Sequence, residues 1–198
     1  IKMSPGSRIA VYGSLKAIGA TFSCIDPSKY WRGLSFYGES TGDSILEDCV
    51  FENAEGSWDS YDPAVVYLYQ SSATIRGCTI RNCAARNGMT VKDCSPAIEG
   101  NAIEGIAGPA IYCPRPSGEP YLYPTISGND IRGNKVGLEL VYRDSPNAFS
   151  VRGNTLEGNE ECDVLIHGSI RSSVELTDIG KYRISSLTVH EGGAVVFP

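Results

Sequence analysis

The apolar and polar positions of this chain repeat a six-residue phrase: apolar, polar, small, Cys or Asn, polar, apolar. The five clearest copies are residues 46–51 (LEDCVF), 75–80 (IRGCTI), 98–103 (IEGNAI), 126–131 (ISGNDI) and 151–156 (VRGNTL), and weaker copies are 17–22 (AIGATF) and 174–179 (VELTDI). The seven copies start at residues 17, 46, 75, 98, 126, 151 and 174, so successive starts are 23 to 29 residues apart. A period of this length over most of the chain predicts stacked structural repeats.

Each phrase is typical of two short strands joined by a tight bend, because large side chains alternate with outward polar ones on both sides of the small residue. A further alternating stretch follows about a dozen residues later. These stretches are residues 33–37, 65–69, 88–92, 110–114, 137–141 and 163–167. No helical period lies between them. We therefore predict an all-β fold in which two or three strands make each turn of a parallel β-helix solenoid of about seven turns.

The bend positions form a column when the turns are stacked in register. This column contains Ala20, Cys49, Cys78, Asn101, Asn129, Asn154 and Thr177. Amide side chains at the strand spacing of roughly 4.8 Å can hydrogen-bond along the column and to the backbone of the bend. We expect the three asparagines to be buried there.

Two outward columns alternate in charge, and neither was used to find the register. One contains Glu47, Arg76, Glu99, Ser127, Arg152 and Glu175; the other contains Glu52, Arg81, Glu104, Arg132 and Glu157. Opposite charges on neighbouring strands stabilise a sheet. The simplest role of these side chains is structural.

The Φ-x-G-Asn-x-Φ phrases, together with residues 13–20 (GSLKAIGA) and 31–36 (WRGLSF), resemble the right-handed parallel β-helix superfamily, which contains the pectate-lyase-like solenoids and carbohydrate-binding and sugar-hydrolase repeat modules. The resemblance covers nearly the whole chain and implies a right-handed coil. It is specific for the fold but not for activity, since one architecture serves many functions. The opening stretch also resembles segments of exported surface proteins, which implies an extracellular or cell-surface location.

The composition of this 198-residue chain restricts the classes of partner that we expect. The net charge of -6 argues against nucleic acid or an anionic membrane as the main partner. No run of 18 apolar residues and no basic-then-apolar leader is present, so no membrane span is predicted. We expect residues 1–198 to form one domain of a longer exported protein. Residues 187–195 and 1–9 share one apolar and glycine pattern, which indicates either a reused turn type or the start of a flanking solenoid block.

Seven cysteines leave two interpretations open. Reduced thiols would fill the core as small apolar groups. Alternatively, Cys49 could pair with Cys78, or Cys94 with Cys113, across neighbouring turns in an oxidising compartment. The sequence holds no C-x2-C zinc pattern.

Catalytic signatures are missing from the sequence. A polygalacturonase-like hydrolase needs converging carboxylates, and the Asn-Thr-Asp, Asp-Asp and Gly-His-Gly runs that the resemblance would require do not occur. The lyase-type Arg-x-Pro-x-x-Arg is also missing. No catalytic residue and no cofactor is predicted, and the interpretation leans away from an enzyme.

Four tyrosines fall on the outward positions of the strands outside the phrases. Tyr67, Tyr112 and Glu139 lie in one column, and Tyr37, Tyr69, Lys92 and His167 lie in the next. Aromatic faces along a rigid sheet suit stacking on sugar rings, with Lys92 and Glu139 as polar contacts. The alternative is that tyrosine simply packs well between neighbouring strands.

Residues 54–63 form an irregular insertion that carries Trp58, Asp59, Tyr61 and Asp62. Trp58 could extend the tyrosine strip, and Asp59 with Asp62 is a weak Ca²⁺ candidate. A second insertion, residues 114–124, contains four prolines and could cover part of the strip.

The sequence therefore predicts a non-catalytic extracellular or cell-surface module that binds a polysaccharide or acts as a stalk. One alternative is a polysaccharide lyase or glycoside hydrolase relative. Another is an adhesion or assembly module that stacks through the open ends of the solenoid.

Overall fold

Short parallel strands wind into a coil of about seven turns with three faces. The computed structural model describes residues 1–56, 62–117, 122–143, 149–175 and 180–196. We number the strands β1 to β23 along the chain. Besides the strands, the described residues contain one short 3-10 helix, Glu39–Thr41.

The first six copies of the phrase place their first half in sheet I and their second half in sheet II, and the stretch that follows each of them lies in sheet III. Sheet I contains, in order of pairing, β18 (Ser150–Arg152), β15 (Thr125–Ser127), β12 (Ala97–Glu99), β9 (Thr74–Arg76), β6 (Ile45–Glu47) and β3 (Lys16–Ile18). Sheet II contains β1 (Lys2–Met3), β4 (Thr21–Cys24), β7 (Val50–Glu52), β10 (Thr79–Arg81), β13 (Ala102–Glu104), β16 (Asp130–Arg132) and β19 (Thr155–Glu157).

Sheet III has the longest strands and lies outside the phrases. It contains β2 (Ile9–Val11), β5 (Leu34–Tyr37), β8 (Ala64–Tyr69), β11 (Asn87–Lys92), β14 (Pro109–Cys113), β17 (Val136–Tyr142), β20 (Cys162–Ile170) and β22 (Tyr182–Val189). A separate parallel pair joins β21 (Ser173–Glu175) to β23 (Ala194–Val196). All strand pairs are parallel, as the repeat predicts.

The bend between sheets I and II requires a left-handed backbone. Gly77 has a φ of 62°, and a Cβ there would lie 2.3 Å from Oδ1 of Asp48 in the preceding turn. Asp48 itself adopts a φ of 51°. Asp and Asn tolerate this region better than other residues with a side chain, which explains how Asp48 can replace the glycine that most copies of the phrase have at this position.

The inward positions stack as apolar columns. Leu46, Ile75, Ile98 and Ile126 are fully buried in sheet I, and Phe51, Ile80, Ile103 and Ile131 are fully buried in sheet II. Trp31 is also fully buried, with Nε1 donating to the Glu52 carbonyl at 2.8 Å. The core is therefore one continuous column of large side chains along the coil.

The predicted asparagine column is confirmed. Nδ2 of Asn129 donates to Oδ1 of Asn154 at 2.9 Å and to the Ile98 carbonyl at 3.0 Å, while its own Oδ1 accepts from N and Nδ2 of Asn101, each at 2.9 Å. These buried amides thus satisfy one another and the bend backbone.

A second asparagine column lies at the far end of the sheet II strands and was not predicted. Asn134 donates through Nδ2 to the Ile103 carbonyl at 3.0 Å and to Oδ1 of Asn159 at 3.2 Å. Asn159 in turn donates to the buried carboxylate of Asp163 at 2.8 Å, which also accepts from the Lys181 backbone N–H at 2.7 Å. Asp163 therefore ends this column.

The predicted register of the charged columns is confirmed by strand pairing. Arg81 lies opposite Glu52, and Arg132 lies opposite both Glu104 and Glu157. Arg81 pairs with Glu52 at 2.8 Å and Arg132 with Glu157 at 2.6 Å. In the other column, Arg76 pairs with Glu47 at 2.9 Å.

Residues 1–9 and 187–195 share a sequence pattern but do not lie on equivalent strands. Lys2–Met3 belongs to sheet II and Ile9–Val11 to sheet III, whereas residues 187–189 belong to sheet III and Ala194–Val196 lies outside it. Because the two stretches occupy different faces of the coil, the last turn does not reuse the turn type of the first; a flanking solenoid block stays a prediction.

All seven cysteines are buried free thiols. Those in the bend columns replace the asparagine amide as donors: Sγ of Cys49 lies 3.4 Å from the Ala17 carbonyl, and Sγ of Cys83 lies 3.7 Å from the Phe51 carbonyl. Desolvation raises the pKa of Cys78 to about 12 and that of Cys83 to about 11. Cys78 and Cys83 are thus protonated core groups at neutral pH.

Candidate functional site

The outer face of sheet III carries the predicted tyrosine columns in the predicted register. Tyr37 lies opposite Tyr69, which lies opposite Lys92. In the adjacent column, Tyr112 lies opposite Glu139. Sheet III has the longest strands of the coil, and its strands β5, β8 and β11, which carry Tyr37, Tyr69 and Lys92, pair without a register shift.

Tyr12 extends the column of Tyr37 and was not predicted. Its ring lies nearly parallel to that of Tyr37, with an interplanar angle of 19° and centroids 5.3 Å apart. Tyr12 is 68% exposed. The sequence signal was present, because residues 9–12 (IAVY) alternate as residues 34–37 (LSFY) do.

The stacking of Tyr12 on Tyr37 changes the chemistry expected of this column. Because the Tyr12 ring is stacked on the Tyr37 ring, it covers one face of Tyr37, which is half-buried. Tyr69 is approached by Lys92, whose Nζ lies 5.9 Å from the ring centroid, a cation–π distance. The column therefore has one exposed ring at Tyr12, two half-buried tyrosines and an ammonium group. We call Tyr12, Tyr37, Tyr69 and Lys92 the tyrosine ridge.

Tyr67 is not available on this surface, contrary to expectation. It is only 7% exposed, and its ring packs at a tilt against Tyr37 with centroids 6.0 Å apart. Burial, the main cause, raises the pKa of Tyr67 to about 12. Beside it, Thr90 is fully buried and donates to the Asp62 carbonyl at 3.2 Å. The chain at Asp62 thus covers the centre of the neighbouring column.

Tyr112 and Glu139 lie beyond Thr90 in the neighbouring column, on the two turns that follow the turn of Lys92. Desolvation raises the pKa of Tyr112 to about 12, and the negative charges of Asp62 and Glu139 add to the shift. Glu139 contacts His167, with Oε1 3.2 Å from Nε2 at an angle outside hydrogen-bond geometry. The predicted strip is therefore divided into two groups by Tyr67 and Thr90.

The described part of the proline-rich insertion turns back beside Lys92. The backbone N–H of Ser117 donates to Oδ1 of Asp93 at 2.7 Å, and the Ser117 hydroxyl donates to the other carboxylate oxygen. Arg143 donates through Nη1 to the Pro116 carbonyl at 2.5 Å. The insertion thus borders the end of the tyrosine ridge.

Two predicted site residues, Trp58 and Asp59, lie outside the described residues. Within the described ranges, no three His, Cys, Asp or Glu side chains gather where they could hold a metal ion. No described helix is long and apolar enough to cross a membrane.

Comparison with known families gives one result. The family described as "Right handed beta helix region" matches residues 14–179. Comparisons with curated proteins and with solved structures give no significant match. The family match spans most of the chain and agrees with the parallel coil of stacked sheets. The chain therefore belongs to the right-handed β-helix family.

Proposed function

We propose that this chain is a non-catalytic, extracellular β-helix module that binds an extended glycan along the tyrosine ridge. The observation that carries the proposal is the exposed ring of Tyr12, stacked on Tyr37 and in line with Tyr69 and Lys92 on a regular sheet. Exposed aromatic side chains in a row on a rigid surface are typical of sugar recognition rather than of core packing.

Each member of the ridge has a different part in this proposal. Tyr12 offers the ring face that does not cover Tyr37 as the stacking platform for one sugar ring. Tyr37 and Tyr69 offer hydroxyl groups, repeated at the turn spacing of roughly 4.8 Å, which is close to the length of one pyranose unit. Lys92 offers an ammonium group for a sugar hydroxyl or carboxylate.

The expected affinity is modest. One stacked ring contributes about 0.5–1.5 kcal/mol beyond area burial, and each hydrogen bond contributes about as much. Three or four such contacts correspond to a dissociation constant in roughly the millimolar range for one module. Tandem modules would raise the affinity by avidity.

The second candidate function is a polysaccharide lyase or glycoside hydrolase, and the contact between Glu139 and His167 favours it. A carboxylate beside an imidazole on an open sheet can act in acid–base chemistry. We prefer the binding function because glycoside hydrolysis generally uses two carboxylates, and the group that contacts Glu139 here is an imidazole.

The test is titration calorimetry and glycan-array binding with cellohexaose as the neutral probe and hexagalacturonate as the anionic one. We expect Tyr12→Ala to weaken binding of the preferred probe about tenfold and Tyr37→Phe to weaken it a few-fold. Tyr30→Ala is the matched control, because Tyr30 is 40% exposed but lies off sheet III; it should bind as the unmodified chain does.

Three outcomes would contradict the proposal. They are failure to bind any arrayed glycan, equal loss of binding in the Tyr30→Ala control, and release of shortened or unsaturated sugars by the unmodified chain. The last outcome, abolished by Glu139→Gln, would establish the enzymatic alternative instead.

A further inference from the structure

The contact between Glu139 and His167 on sheet III leaves a buried nitrogen without a hydrogen bond. Glu139 lies on β17, and His167 lies on β20, two residues beyond Leu165, which is the residue opposite Glu139. Oε1 of Glu139 is 3.2 Å from Nε2 of His167, yet Nε2 is buried and has no hydrogen-bond partner. A buried, unsatisfied polar atom is costly, so a native structure that retains one needs an explanation. The two atoms are close together but are not directed at each other.

Their separation matches that of two neighbouring ligands on one metal ion. Zinc lies about 2.0–2.1 Å from an imidazole nitrogen and about 2.0–2.2 Å from a carboxylate oxygen. Two bonds of these lengths whose outer atoms are 3.2 Å apart enclose an angle of about 100°, which is close to the tetrahedral angle. Nε2 and Oε1 therefore already have the spacing that zinc coordination requires, and a shared ion would satisfy the buried nitrogen.

The charges around the pair also favour a cation. Among the described residues, the only group within ion-pair distance of Glu139 is the imidazole of His167. Arg183, two turns further along the column of Glu139, is bound to Glu161 at 2.9 Å. Tyr112, on the other side of Glu139, is neutral at neutral pH, because burial raises the pKa of its phenol to about 12. No lysine or arginine of the described residues is thus within ion-pair distance of the Glu139 carboxylate.

The types of ligand atom select the class of ion. An imidazole nitrogen suits Zn²⁺, Cu²⁺ and Ni²⁺, whereas Ca²⁺ and Mg²⁺ take oxygen ligands. Glu139 keeps 20% of its side chain exposed, so an ion can reach the pair from the carboxylate side. Two protein ligands leave the remaining tetrahedral positions to water.

We propose that Glu139 and His167 bind one divalent transition-metal ion of the zinc type through Oε1 and Nε2, on the outer face of sheet III. Water fills the other coordination positions of the ion. The proposal does not depend on glycan binding, because the tyrosine ridge ends at Lys92, on an earlier turn of the coil.

Titration calorimetry of the full chain with zinc chloride, in a buffer with a non-thiol reductant, tests this site. We expect saturable binding of one zinc ion per chain and no saturable binding of calcium. His167→Ala and Glu139→Gln should each weaken zinc binding about tenfold or more. His190→Ala is the matched control, because His190 is the only other histidine of the chain and follows β22; it should bind zinc as the unmodified chain does. Absence of saturable zinc binding, unchanged binding in His167→Ala, or equal loss in His190→Ala would overturn the proposal.

Histidine-ring ¹⁵N NMR tests the ligand atom in the unmodified chain and does not depend on the folding of a variant. When zinc is added, the Nε2 signal of His167 should shift most, and both ring signals of His190 should stay unchanged. Shifts confined to His190, or no shift of Nε2 of His167 at saturating zinc, would contradict the proposed coordination.

Discussion

Replacing Asn129 by leucine should lower the free energy of unfolding by about 2–5 kcal/mol, although leucine is more apolar. The amide of Asn129 makes four hydrogen bonds in the bend column. Two of its partners have alternatives, because Nδ2 of Asn101 also donates to the Ile75 carbonyl and Oδ1 of Asn154 also accepts from the Asn129 backbone.

The other two partners of Asn129 would be orphaned in the leucine variant. They are the backbone N–H of Asn101 and the carbonyl of Ile98, both inside the coil. Each buried, unsatisfied group costs about 1–3 kcal/mol, and the apolar gain of leucine is offset by its larger volume in a close-packed column. For a domain of this size the loss corresponds to a fall in Tm of roughly 5–15 °C.

Asn129→Cys is the matched variant because the chain already uses cysteine in this column. By analogy with Cys49, whose thiol donates to the Ala17 carbonyl, the new thiol can satisfy the Ile98 carbonyl and leave only the Asn101 N–H orphaned. We expect about half the destabilisation of the leucine variant. Differential scanning calorimetry measures both. A leucine variant as stable as the unmodified chain, or less affected than the cysteine variant, would refute the reasoning.

Three further predictions concern the charged columns, the second asparagine column and the thiols. Arg81→Glu should lower the free energy of unfolding, measured by chemical denaturation, by on the order of 1 kcal/mol, and by less at high salt, because it places three carboxylates on adjacent turns. An unchanged free energy of unfolding at low salt would contradict the pairing of Arg81 with Glu52. Asp163→Ala should lower the free energy of unfolding by about 2–3 kcal/mol and speed amide hydrogen exchange at Lys181. Asp163→Asn keeps a hydrogen-bond acceptor and should lower the free energy of unfolding less. Equal amide exchange rates in the two variants would exclude the role of Asp163 as the cap of this column. The free energy of unfolding should fall between about pH 9 and pH 12, because burial raises the pKa of Cys78 and of Cys94 to about 12 in the folded chain. Below about pH 9 the thiols are protonated in both the folded and the unfolded state, whereas above it the unfolded state loses its protons first. The free energy of unfolding then decreases by about 1.4 kcal/mol per pH unit for each thiol. A flat pH profile in this window would show that these thiols are not desolvated.

The coil and its register could be predicted from the sequence, because aligning the repeats assigns every residue of each turn to a column at the same time. The spacing of the phrases predicted the asparagine column and the alternating charges, and strand pairing confirms both. The second asparagine column was missed because its other positions hold Ala54, Cys83 and Ile106, so only Asn134 and Asn159 carry the signal.

The candidate site was less predictable because it depends on features that do not repeat. Burial of Tyr67 follows from the path of the chain at Asp62, which lies in an irregular insertion. The stacking of Tyr12 on Tyr37 depends on ring orientation, which alternation along a strand does not determine. Tyr12 was overlooked because its strand precedes the first phrase.

Tyrosine-selective ¹³C NMR during titration with cellohexaose and hexagalacturonate tests the central claim most directly, since it reports on each ring without altering the site. We expect the signals of Tyr12, Tyr37 and Tyr69 to shift with a single dissociation constant, and those of Tyr30 and the buried Tyr142 to stay unchanged. Saturable shifts confined to tyrosines outside the ridge, or no saturable shift with either sugar, would contradict glycan binding at the tyrosine ridge.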